Sequence, residues 1–146
     1  MLEVRITKLD ERATIPKYET DQAAAMDLTI IEDTLVPPLT QTLLPTGLGI
    51  GIPKDHVMHV YPRSSTYKKF GILLANSVGT IDPDYSGPDD QIFIAVINPG
   101  PEPVTIKAGS RVAQFLITPR PQIKWVEGEA GNQNRGGFGT TGGHGA

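Results

Sequence analysis

The sequence predicts an all-β barrel or sandwich, and three observations carry that expectation. Its apolar runs are short. Prolines and glycines, 13 and 16 of them in 146 residues, are spread between those runs rather than gathered in one repeat. Only one segment suits a helix, a single turn over residues 65–70. Short strands broken by frequent turns bury one face each, and they do so by closing into a barrel or stacking as two sheets.

The elements follow in order. Leu2, Val4 and Ile6 alternate with polar residues, the period-2 pattern of a half-buried strand. Further strands are predicted over 27–31, 41–44, 47–52 and 56–61, then over 72–74, 92–97, 104–106, 111–117 and 123–126. Pro37-Pro38, Pro45, Pro53, Pro99-Gly-Pro101, Pro103, Ala108-Gly109 and Pro119 punctuate them. Between Phe70 and Pro99 the order is apolar run, polar segment, apolar run. Asn76-Ser-Val-Gly-Thr-Ile-Asp82-Pro-Asp-Tyr85-Ser-Gly87 therefore reads as the tight turn of a β-hairpin. Such a hairpin presents backbone amides, a carboxylate and a ring to a small planar ligand. The helical turn at 65–70 takes Ser64 or Ser65 as its N-cap.

Composition sets outer limits. The length suits one domain with a real core. A net charge of -3 leaves no electrostatic footprint for nucleic acid. The absence of cysteine excludes disulfides and thiolate metal sites and fits a reducing compartment. Met1-Leu-Glu-Val-Arg5 does not read as a signal peptide, and no run approaches the roughly 20 apolar residues that span a bilayer. A cytoplasmic protein without membrane partners is expected, in the host cytoplasm if the source is viral. The tail differs from the rest: eight of the twenty residues 127–146 are glycine. One reading is a disordered terminus. The other is an arm that orders on a ligand, which the lone Arg135 and Phe138 favour. The division is thus a barrel over 1–126 and a flexible Gly-rich C-terminal arm over 127–146.

Several polar clusters can carry chemistry, each with an ordinary structural alternative. Pro62-Arg63-Ser64-Ser65 offers a guanidinium, two hydroxyls and a helix start, which suits phosphate; it equally suits a helix cap beside a surface arginine. Gln114 interrupts an apolar strand and either faces solvent or reaches a ligand. Asp27 follows Ala23-Ala-Ala-Met26 and either forms a turn or holds water on a hard cation such as magnesium. His56 and His59 are three apart on a strand and point to opposite faces, which argues against a metal pair. No serine has a recognisable base partner for covalent catalysis.

Taken together and in this order, the clusters resemble the five motifs of the homotrimeric deoxyuridine triphosphatase (dUTPase) family. Ala24-Ala-Met-Asp27-Leu28 matches the first motif and Pro62-Arg63-Ser64-Ser65 the second. Asn76 to Gly87, with Gly79, Ile81, Asp82, Asp84 and Tyr85 in place, matches the third. Gly109-Ser-Arg111-Val-Ala-Gln114 matches the fourth and Gly136-Gly-Phe138-Gly-Thr-Thr-Gly142 the fifth. The resemblance covers residues 24–142.

The resemblance implies a jelly-roll-like, distorted β-barrel and magnesium-dependent hydrolysis of dUTP to dUMP and pyrophosphate. That reaction limits uracil in DNA and supplies dUMP for dTMP synthesis. By the same similarity, Asp82 orients and deprotonates the water that attacks the α-phosphorus. Asp27 supports Mg2+ through water. Arg63, Ser64, Ser65 and Gln114 hold phosphates, as does Arg135 in the arm. Asn76 and the backbone around Gly79 and Ile81 read uracil, Tyr85 excludes a 2′-hydroxyl, and Phe138 stacks on the base. A homotrimer with active sites shared between subunits is implied as well.

Three departures stand out. Ala25 replaces a usual glycine. Pro88-Asp-Asp-Gln91 makes the segment after the third motif about three residues longer than usual. In the arm, Gln133 occupies the position where an arginine usually stands, and Arg135 directly precedes Gly136. Two rival readings share the fold. A dCTP deaminase needs a carboxylate on the strand after the hairpin, where Ile92 to Ile97 has none. A non-catalytic trimeric binding or regulatory module fits poorly with the joint presence of Asp27, Asp82, Tyr85 and Phe138.

Overall fold

A computed structural model describes residues 1–131 and 136–138, and it places eleven strands and one short helix among them. The strands are β1 (Arg5–Lys8), β2 (Met26–Thr29), β3 (Thr34–Val36), β4 (Gln41–Pro45), β5 (Leu48–Gly51) and β6 (His56–Pro62). After α1 (Thr66–Phe70) come β7 (Leu73–Leu74), β8 (Gly79–Ile81), β9 (Phe93–Ile97), β10 (Val104–Ile106) and β11 (Arg111–Pro119). They form four small sheets in the orders β1-β5, β10-β3, β2-β11-β6-β8 and β4-β9-β7, and every strand pair is antiparallel.

Side-chain alternation sets which face is buried. In β9, Ile94 and Val96 point into the core while Phe93 is exposed and Ala95 and Ile97 are half-buried. Leu28, Leu44, Leu48, Met58 and Ile106 meet them inside, each essentially without solvent contact. Each such side chain contributes on the order of 1.5–3 kcal/mol by leaving water. Asn98 is buried as well, as are Thr46 and Thr66 among the polar residues. Its Nδ2 donates to Val36 O at 3.2 Å and Glu102 O at 2.7 Å, and its Oδ1 accepts from Gly100 N at 2.9 Å. A buried amide is tolerated because both its ends are paired, and here it stitches the β9–β10 turn to β3.

The long strand β11 organises the region where the polar clusters lie. It pairs with β6 along residues 113–119 and with β2 on its other side, so that Gln114 stands opposite both Asp27 and Tyr61. A register shift between Arg111 and Ala113 interrupts the β2 pairing.

The structure corrects three local expectations. The segment after β7 is not a tight hairpin turn. β7 and β9 do pair, Leu74 opposite Val96, but the chain between them crosses to the other sheet and lays β8 along β6. Gly79 permits this: a Cβ there would meet the Cβ of Val60 at 3.1 Å, tighter than side chains normally approach. The first strand starts at Arg5 rather than Leu2. Residues 123–126 form no strand, and Ile123, Trp125 and Val126 are 70%, 86% and 85% exposed. Their alternation suits a strand, but among the described residues no strand pairs with them, and their apolar side chains face solvent. Arg120 marks the end of the barrel, donating from its backbone N to Asp55 O at 2.7 Å.

Candidate active site

Asp27, Arg63, Arg111 and Gln114 converge where β2, β6 and β11 meet. Arg63 follows the last residue of β6. Its Nε forms an ion pair with Asp27 Oδ1 at 2.8 Å, and its Nη1 donates to Arg111 O at 3.1 Å. Arg111 takes the other carboxylate oxygen, Oδ2, at 3.1 Å and also reaches Glu19 at 3.2 Å. Asp27 and Arg63 are largely shielded, with side chains 14% and 22% exposed. The attraction is therefore screened less than in a surface pair. Gln114 Nε2 donates to Pro62 O at 3.0 Å, so this side chain braces the strand end that carries Arg63.

The loop between β6 and α1 is held by a residue that sequence reasoning passed over. Ser65 occupies the N-cap position but makes no side-chain cap bond. Thr66, buried at the first helical position, does the fastening. Its Oγ1 accepts from Arg63 N and donates to Val112 O, both at 2.8 Å. One hydroxyl thus ties the Arg63-Ser64-Ser65 loop to β11. The available signal was weak: a β-branched hydroxyl residue opening a very short helix. Ser64 is exposed and lines a groove with Arg63, Tyr67, Leu73 and Ser77, whereas Ser65 is half-buried.

Within the 76–87 segment, Ser77 lines the first groove, whereas residues 80–82 and Tyr85 line a second. Asn76 is exposed just before β8, and its backbone carbonyl accepts from Val78 N at 2.7 Å. Its Nδ2 lies 3.7 Å from the position a Gly79 Cβ would take, which places the amide beside β8. Ile81 pairs with Met58 at the end of that strand. Asp82 and Tyr85 come next and line one groove with Leu43, Thr80, Ile81, Gln91 and Phe93. A turn with Tyr85 N donating to Asp82 O at 3.1 Å brings them together, and Tyr85 Oη donates to Gln91 O at 2.9 Å.

No residue that lines the Asp82–Tyr85 groove also lines the Arg63–Ser64 groove. One chain therefore holds two partial surfaces: one suited to a phosphate-bearing anion, the other carrying a carboxylate and a ring. Phe138 is described and fully exposed, with φ at 48°. Arg135 and Gln133 lie outside the described residues. Among the described residues, no group of three or more His, Asp or Glu side chains gathers to cage a metal ion. A magnesium ion that keeps its waters and takes one or two carboxylates plus phosphate oxygens still fits this donor set. Each oxygen of Asp27 is in an ion pair with one arginine, and its lone pairs can also take a water. No helix among the described residues is long and apolar enough to cross a membrane.

Comparison with known proteins gives a consistent result. A family model described as dUTPase matches residues 11–142. The deoxyuridine 5'-triphosphate nucleotidohydrolase of Anaeromyxobacter sp. (strain Fw109-5) is 39% identical over 145 residues, spanning 95% of this chain and 97% of that protein. The crystal structure of a dUTPase from Streptococcus mutans superposes with a TM-score of 0.74 at 34% identity, over 82% of this chain and 98% of the other. A mutant dUTPase of phage phi11 of S. aureus, described as coordinating a structural Mg(II) ion, shares the fold. Its TM-score is 0.75 at 21% identity, over 87% of this chain and 98% of its own.

Proposed function

This chain belongs to the dUTPase family, and from that premise we propose that it is a dUTP diphosphatase, releasing dUMP and pyrophosphate by water attack on the α-phosphorus. The observation that carries the reading is the placement of Asp82 and Tyr85 on one groove wall directly after β8. An exposed carboxylate beside a ring suits a site that must activate water next to a nucleoside.

The residues divide the work. Asp82 accepts the proton of the attacking water, a task for a positioned carboxylate. Asn76 offers a donor and an acceptor to the O4 and N3 edge of uracil, and the backbone at Gly79 and Ile81 supplies further partners. Cytosine would leave such groups unpaired, at roughly 1–3 kcal/mol each. Tyr85 packs where a ribose 2′-hydroxyl would clash. Arg63, Ser64, Ser65 and Gln114 hold the phosphates, with Arg63 pre-oriented by Asp27. Magnesium, when bound, would offset phosphate charge. Asp27 would touch its water shell. Phe138 covers the base and Arg135 reaches the terminal phosphate once the arm over 127–146 closes on the barrel over 1–126.

The working unit is a homotrimer with shared sites. Two features support it. The phosphate-facing and base-facing grooves are separate within one chain, so a neighbouring copy would complete each. Apolar surface is also left open: Leu43, Leu73 and Phe93 on the β4-β9-β7 sheet are 50%, 46% and 38% exposed, and Trp125 stands out beyond the barrel. Clusters of this kind mark interaction surfaces. A cytoplasmic location fits a cysteine-free chain acting on nucleotides, and the product role is to limit uracil in DNA while supplying dUMP for dTMP synthesis.

The deaminase reading is not favoured. β9 presents Phe93, Ala95 and Ile97 away from the core and carries no acid. Pyrophosphate release from dUTP, compared with ammonia release from dCTP, separates the two activities.

A further inference from the structure

The segment from Asp82 to Ile92 is polar and mostly exposed, the kind of loop that wanders unless something ties it down. Its far end is anchored to the barrel. Gln91 Oε1 accepts from Gly47 N at 2.8 Å, Ile92 N donates to Leu48 O at 2.8 Å, and the buried Thr46 donates from Oγ1 to Ile92 O at 2.6 Å. The Gln91 carbonyl is therefore a fixed point, and it is the atom that receives the Tyr85 hydroxyl at 2.9 Å.

Between these two residues the chain closes on itself. Gly87 N donates to Asp90 Oδ2 at 2.7 Å, and Asp90 N donates to Gly87 O at 3.2 Å. The first bond is charge-assisted and short. It also needs a glycine, since a Cβ on Gly87 would sit 2.9 Å from the same carboxylate oxygen. By the family resemblance, Pro88-Asp-Asp is the stretch that makes this segment long. Asp90 thus closes the turn that lies between Tyr85 and Gln91.

We propose that Asp90 is a positioning residue for Tyr85: by clamping Gly87 it keeps the Tyr85 hydroxyl on the Gln91 carbonyl, and so fixes the ring that discriminates deoxyribose from ribose. The inference rests on the proposed role of Tyr85 as the sugar check. Asp90 touches no substrate and acts only through the loop.

The test is the ratio of kcat/KM for dUTP to that for UTP, measured on full-length wild type, Asp90→Ala, Asp90→Asn and Tyr85→Phe, with Tm recorded for each. Asp90→Ala should lower the ratio about 3- to 10-fold, the worth of one hydrogen bond, chiefly through a higher KM for dUTP. Asp90→Asn keeps an acceptor for Gly87 N and should restore most of the ratio. Tyr85→Phe keeps the turn and loses only the hydroxyl, and should show a loss like that of Asp90→Ala. A wild-type ratio retained in Asp90→Ala, whatever happens to Tm, would overturn the clamp alone. A wild type that turns over dUTP and UTP equally would overturn the sugar check and the clamp with it.

Discussion

Asp27 on β2 and Arg63 beyond the end of β6 are joined by an ion pair of 2.8 Å between Oδ1 and Nε. The two residues lie 36 positions apart in sequence, and β11, pairing with both strands, brings them together. The pair gives Asp27 a task that does not depend on a metal, namely aiming a guanidinium. Replacing it by Asn keeps the shape and removes the charge. Asp27→Asn should lower stability by about 1–3 kcal/mol, as expected for a shielded charge that loses its partner. It should also raise the KM for dUTP on the order of 10-fold. Urea titration and steady-state kinetics check the two effects separately.

Thr66 makes a sharper structural prediction, because its hydroxyl is buried and both its bonds go to backbone. Thr66→Val preserves shape but strands Arg63 N and Val112 O. The expected loss is about 1–3 kcal/mol, and the Arg63 loop should loosen with it. Thr66→Ser should recover most of that stability. Chemical denaturation of the three proteins, with hydrogen exchange at the Arg63 amide, measures both.

The arm gives a prediction that turns on its register. Truncation after Gly131 should leave the oligomer intact in sedimentation while cutting dUTP turnover on the order of 100-fold or more, since closure contributes positioning. Within the arm, Arg135→Ala should reduce turnover far more than Gln133→Ala. The opposite order would mean that the phosphate contact falls at the earlier position.

Much of this candidate site was legible in the sequence because its residue types are chemically specific and some of them are local. Asp82 and Tyr85 are three apart and share a groove. Gln114 interrupts β11 where the polar cluster forms. What escaped was whatever depends on distant partners. β8 is only three residues long and opens with glycine; its strand character comes from β6, some twenty residues earlier, and a tight turn was the natural expectation without it. Thr66 looked like one more residue of a helical turn, because its value lies in Val112 O on another element. Residues 123–126 show the reverse error. Their period-2 pattern is real, but pairing needs a partner strand, and among the described residues none pairs with them.

The central claim is that Asp82 activates water against dUTP, and one assay tests it most directly. Pyrophosphate release with magnesium is measured for dUTP, dCTP, UTP and dTTP, using wild type and Asp82→Asn. The account predicts strong preference of the wild type for dUTP, and a loss of about 100-fold or more in the variant at unchanged Tm, as expected when a general base is removed. Equal turnover of the four nucleotides, or full activity in Asp82→Asn, would contradict it.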